Sequence, residues 1–137
     1  LQKTYLPILK NKPPNNKENF VHFLVKNNLE TRADIVTTKV EGAQECILSY
    51  QVMGENAFGH LLKVKPQTGR FHQIRAQLAH IGLPIIGDEK YGSDQEYLPL
   101  SVCLHAWKLS YLVASAGEYK TFEAALPENE LWVFSRK

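Results

Sequence analysis

No stretch of the sequence is both long and apolar enough to span a bilayer, and no basic start followed by an apolar run marks a secretion signal. A reducing, cytoplasmic setting with no membrane partner is therefore expected. Cysteine is scarce: Cys46 and Cys103 lie far apart and lack C-x-x-C spacing, which argues against a disulfide framework or a zinc site. Both read as buried apolar thiols. Of the five histidines, His72 and His80 are eight positions apart and His105 lies on another element, with no carboxylate at helical spacing beside them. No metal is expected. A G-x-S-x-G elbow is missing, so a Ser-His-Asp hydrolase has no local signature. Internal repeats and low-complexity linkers are missing too, and a formal net charge of +2 is too small to argue for a polyanionic partner alone.

What is present is unevenly placed. With 137 residues and 44% hydrophobic content, the chain suits one compact domain, residues 1–137, with its own core. Its unusual residues gather from Lys63 to Gly92, KVKPQTGRFHQIRAQLAHIGLPIIGDEKYG, where no acid precedes Asp88 while Lys63, Lys65, Arg70, His72, Arg75 and His80 all occur. The pattern predicts a strand ending at Pro66, a turn through Thr68-Gly69, and a helix with Phe71, Ile74, Leu78 and Ile81 at helical spacing. Thr68 is placed to cap that helix, and Gly69 lets backbone approach a bound group. With Arg70 and Arg75 added, the unit suits an anion. Arg75 lies one turn beyond His72, off the apolar stripe, where it points into a cleft or pairs with a carboxylate. Gly82 and Pro84 stop the helix, and Gly87 and Gly92 supply turns. Asp88 reads as an Asx-type turn or loop cap, and His105 as a structural residue anchoring backbone.

Elsewhere, residues 3–10 alternate as a strand, with Pro7 arguing for an edge position or a strand end. A polar turn, NKPPNNK, follows, and Glu18 to Asn28 fits a short helix or a buried strand, the helix being favoured. Residues 29–42 carry little signal. Ala43 to Met53 and Gly59 to Val64 read as a hairpin about Gly54-Glu55-Asn56. A strand centred on Leu104 to Tyr111, a link at Ala114 to Gly117, a strand from Glu118 to Leu126 and a short closing turn at Leu131 to Phe134 complete an α+β fold, mainly antiparallel sheet with one or two helices packed on it.

Three separated motifs, TGRFHQIR, GLPIIGDEKYG and Cys103-Leu104-His105-Ala106, together with Lys3-Thr4-Tyr5, resemble in order and spacing the RluA-type pseudouridine synthases, which isomerise uridine in structured RNA. The resemblance implies a substrate in ribosomal or transfer RNA, no cofactor and no metal. It makes Tyr5 the active-site tyrosine, with its ring against the target base. It makes Arg75, or alternatively Arg70, the arginine that pairs with an essential aspartate. Leu104 would line the uracil pocket, Thr68, Gly69, Arg70, His72 and Gln73 would bind substrate, and Lys63 and Lys65 would meet phosphates. In the family that aspartate lies in an H-R-L-D-x-x-T-S-G segment preceding the K-x-Y strand, and Asp34, Asp88 and Asp94 lie in contexts that do not match it. The chain, opening on Leu1, is thus expected to be the C-terminal portion of a catalytic domain, inactive without an N-terminal portion that docks at a strand edge next to Tyr5, and leaving Arg75 without its partner. Two other readings are an RNA-binding module of the same ancestry that has lost catalysis, and a small domain whose basic helix contacts a protein or an anionic metabolite.

Overall fold

The computed structural model describes residues 1–94, 102–113 and 117–134. Strands β1 (Gln2–Leu9), β2 (Lys17–Asn27), β3 (Arg32–Val36), β4 (Gln44–Glu55) and β5 (His60–Pro66) precede one helix, α1 (Gln73–His80). Strands β6 (Leu104–Val113) and β7 (Glu118–Glu123) follow, with single 3-10 turns at Glu89–Tyr91 and Glu130–Trp132. All the strands join one sheet in the order β3-β2-β4-β5-β1-β6-β7, and every pairing is antiparallel. This is the α+β architecture expected. The polar segment after Tyr91-Gly92 from residue 95 onward, and residues 114–116 of the link before Gly117, lie outside the described residues.

Alternation along the strands decides which face is filled. His22, Cys46, Leu48, Tyr50 and Val64 share one face through the pairings His22↔Cys46, Phe20↔Leu48 and Tyr50↔Val64. Helix α1 lies on this face and contributes Ile74, Ala76 and Leu78 to the core. Leu48, Leu62, Val64 and Leu78 are fully buried, each contributing about 1.5–3 kcal/mol of apolar transfer. Both cysteines are free and buried, as their isolation in sequence implied.

Three local expectations are corrected. Residues 18–27 belong to β2, because Phe20, His22 and Leu24 turn to the core face while β3 and β4 pair the strand on both sides. A short aromatic and β-branched run is ambiguous until partners fix it. The low-signal stretch supplies one of those partners, β3. Pro7 does not mark an edge: β1 lies inside the sheet, between β5 and β6. The ladder accommodates proline there because the β1–β5 register skips Leu6 and Pro7, and the β1–β6 ladder ends at Pro7↔Leu104. Tyr5 consequently pairs with both Val64 and Ala106, so that the strand edge expected beside it, solvent-exposed or artificially paired, is not exposed.

Candidate active-site cleft

Where β5 turns into α1, the helix begins later than its apolar spacing suggests. Its N-cap is His72, in the left-handed region at φ 52°, and no side chain caps it. Thr68 instead ties the turn to the sheet: its hydroxyl accepts from the Ile47 N–H at 2.9 Å and donates to Gln73 Oε1 at 2.8 Å. Gln73 completes the clamp by accepting from the Arg70 N–H at 3.0 Å and donating to the Ile47 carbonyl at 3.0 Å. A residue forced into two roles by the tertiary structure is lost to capping, which explains the correction. Arg70 is also committed, its Nε donating to the Glu45 carbonyl at 2.9 Å.

Arg75 does not lack a carboxylate. Its Nε and Nη2 donate to Asp88 Oδ2 and Oδ1, each at 2.9 Å, a two-point ion pair with the Asp88 side chain wholly buried and the Arg75 side chain 20% exposed. Asp88 is therefore not the loop cap expected; the 3-10 turn it precedes takes no hydrogen bond from its side chain. The Asp88 hydrogen bonds raise the Arg75 pKa above its ordinary value. Arg75 Nη1 lies 3.1 Å from His72 Nε2, and because guanidinium only donates, Nε2 accepts and the ring proton sits on Nδ1. Nδ1 then donates to the Tyr91 hydroxyl at 2.9 Å, which also accepts from the Ala33 N–H at 2.7 Å. Burial, then the Arg75 charge, lower the His72 pKa, consistent with a neutral ring. The Arg75 guanidinium also stands 5.0 Å from the Tyr91 ring centroid. Sequence reasoning missed Tyr91; its only signal was a place in GDEKYG.

Beside this network opens a cleft of about 440 Å³ lined by Lys3, Tyr5, Thr68, Arg70, His72 and Arg75, with Gly69, Gln73, Ile74 and Leu104 completing its walls. Six of the expected residues that come from the turn and helix, together with Tyr5 and Leu104, thus meet at one place although they arise from three parts of the chain. Gly69 has open space where a Cβ would stand, as a close-approach position requires. Lys63 and Lys65 do not belong to the cleft: they line a separate depression with Lys17, Ser49 and Gln51. His105 is structural, as expected, with Nε2 3.4 Å from the Ala124 carbonyl oxygen. Three of the five N–H groups of Arg75 are engaged within the network, which leaves two without a partner among the described residues. No carboxylate lines the cleft among the described residues. Asp34 pairs with Arg32 at 3.2 Å, Asp94 with Lys10 at 3.2 Å, and Asp88 with Arg75.

An aromatic ring, an aliphatic wall and a held guanidinium at the end of an antiparallel sheet define an α+β domain with a base-sized, anion-tolerant cleft. Residues 1–80 match the family model described as RNA pseudouridylate synthase, and the chain belongs to that family. An uncharacterized RNA pseudouridine synthase of Chloroflexus aurantiacus is 46% identical over 68 residues, which cover 49% of this chain and 22% of that protein. Ribosomal large subunit pseudouridine synthase C of Escherichia coli is 29% identical over 136 residues, covering 93% of this chain and 42% of the relative. Among solved structures, human RNA pseudouridylate synthase domain containing 1 superposes with a TM-score of 0.70 at 27% identity, over 93% of this chain and 54% of that one. The chain thus spans between about a fifth and somewhat over half of the length of these proteins.

Proposed function

We propose that the cleft is the uridine-binding side of an RNA pseudouridine synthase acting on structured RNA, ribosomal or transfer, and that a carboxylate from outside these 137 residues completes it. The observation that carries this reading is Arg75: anchored by Asp88, it keeps two donors for a second carboxylate in a cleft that none of the described carboxylates lines. In the reaction the bond from ribose C1′ to uracil N1 breaks, the base turns, and C1′ joins C5, which gives up its proton while N1 takes one up. A flipped uracil needs a face to stack on and a wall opposite, and Tyr5 and Leu104 supply them. Arg75 holds the incoming aspartate ionised and oriented, since an adjacent opposite charge favours the charged form. Because β1 is paired on both sides, the aspartate-bearing portion reaches Tyr5 over the cleft and not by strand addition.

The assay is release of tritium from uracil C5 of labelled RNA, using protein that carries an H-R-L-D segment. Arg75→Ala should lower turnover at least about 100-fold, the scale of losing a preorganised electrostatic contact. Normal turnover in that variant would remove Arg75 from the mechanism. The 137-residue chain alone should bind RNA and release no tritium. A second reading, an RNA-binding module without catalysis, draws on the same carboxylate-free lining. It predicts that the whole gene product is silent in the tritium assay too.

A further inference from the structure

The face of the sheet turned away from α1 is charged in a way the cleft does not explain. Over β2, β4 and β5 it carries Lys17, Asn19, Ser49, Gln51, Lys63 and Lys65, set in two rows by the pairings Lys17↔Gln51↔Lys63 and Asn19↔Ser49↔Lys65. Strand spacing puts Lys17 and Lys63 about 10 Å apart at the backbone, and alternation puts Lys63 and Lys65 about 7 Å apart. Lys108 joins them from β6, opposite Thr4. The other three lysines act on Lys63, whose pKa is lowered first by burial, then by the charges of Lys65, Lys108 and Lys17.

Nothing described neutralises this cluster. None of the four lysines has a carboxylate within 4 Å among the described residues. Lys108 instead sits over the Trp107 ring at 4.0 Å, with Glu123 opposite it across the β6–β7 ladder. Between Lys17, Lys63 and Lys65 lies an open depression of about 310 Å³, whose one acid, Glu18, accepts from Asn15 Nδ2 at 3.0 Å. The remainder of its floor, Asn19, Ser49 and Gln51, is neutral and polar. Like charges held together by a rigid sheet repel, and an anion laid across them relieves that repulsion.

We propose that this face is a second RNA contact, gripping the phosphodiester backbone of the same molecule whose uridine enters the cleft. The proposal rests on the RNA reading above. Ammonium groups are point charges that hold phosphates without reading bases, so the face contributes affinity and position but no sequence choice. Continuity supports one ligand for both sites. Lys65 stands three residues, roughly 10 Å of strand, before Thr68 in the cleft wall, and the turn from Pro66 to Gly69 is the ridge between them.

The test is filter binding of bulk transfer RNA and of bulk ribosomal RNA to the full-length protein across a salt series. Lys63→Gln/Lys65→Gln should weaken binding about tenfold near physiological salt and reduce the slope of log K against log salt by about 1.4 to 1.8. Turnover at saturating RNA should stay unchanged while KM rises by the same factor. Lys39→Gln/Lys120→Gln, two exposed lysines outside that depression, should change neither quantity. Lys17→Gln/Lys108→Gln provides an independent pair should the first variant melt early. Wild-type affinity and slope in both cluster variants, or an equal loss in the control pair, would overturn the proposal, as expected if the face serves an acidic protein. Should the wild type bind RNA with the cluster-dependent slope yet isomerise no uridine, the enzymatic reading fails and the backbone contact stands.

Discussion

Asp88→Asn tests the central pair most directly. The substitution keeps the shape of a side chain with no exposed surface but removes its charge, and turns one acceptor into an amide donor facing a guanidinium donor. Breaking a fully buried ion pair from one side costs about 3–5 kcal/mol, because the surviving charge is left uncompensated. The Arg75 side chain retains 20% exposure, so water recovers part of its solvation, and the expected loss is about 2–4 kcal/mol. For a domain of this size that lowers Tm by roughly 6–15 °C. Urea denaturation of wild type, Asp88→Asn, Arg75→Gln and the double variant measures the coupling, which should reach at least about 1.5 kcal/mol. An Asp88→Asn protein within about 0.5 kcal/mol of wild type, or a coupling near zero, would refute the argument that Asp88 holds Arg75 in place.

Other outcomes follow from single contacts. Gly59→Ala should destabilise by about 3 kcal/mol in the same denaturation assay, since a Cβ there would run into the Leu9 carbonyl oxygen. Thr68→Ala should cost about 1–3 kcal/mol by leaving the Ile47 N–H and Gln73 Oε1 short of a partner, whereas Thr68→Ser should recover most of it. Stability should fall as pH drops below 6.5. Burial lowers the pKa values of His22 and His72, so the unfolded chain binds more protons in the window between the folded and unfolded values, and stability rises with pH across it. Denaturation midpoints at successive pH values, with and without His72→Gln, measure this. Cys103, wholly buried and with its thiol pushed up to about 12, should resist disulfide reagents until the protein unfolds.

Much of the site was legible because its residues are consecutive or carry recognisable spacing. TGRFHQIR delivers Thr68, Gly69, Arg70, His72, Gln73 and Arg75 to the cleft, and Tyr5 from β1 and Leu104 from β6 line it as well. What was not legible depends on register. Lys63 and Lys65 lie next to the turn in sequence, yet strand alternation sends them through the sheet to its other face. Asp88 reads as a loop residue because Arg75, thirteen positions back, meets it only after the chain reverses at Gly82. The strand choice for β2 depends on β3 and β4 beside it, and its own composition suits either state.

The interior position of β1 has a consequence for how the molecule comes into being. Tyr5 must find Val64 on one side and Ala106 on the other, so each wall of the cleft closes a loop of roughly 60 to 100 residues. Such distant pairings make assembly slow. On a ribosome adding about 5–20 residues per second, β1 waits roughly 3–12 seconds for β5 to be made, and longer for β6. Until then its backbone hydrogen-bonding groups on both edges are open to whatever strand arrives first. The Tyr5 ring of the cleft is therefore mounted on the strand most dependent on late-made sequence, and truncation before Leu104 would deprive the cleft of a wall while sparing the β2–β4–β5 half of the sheet.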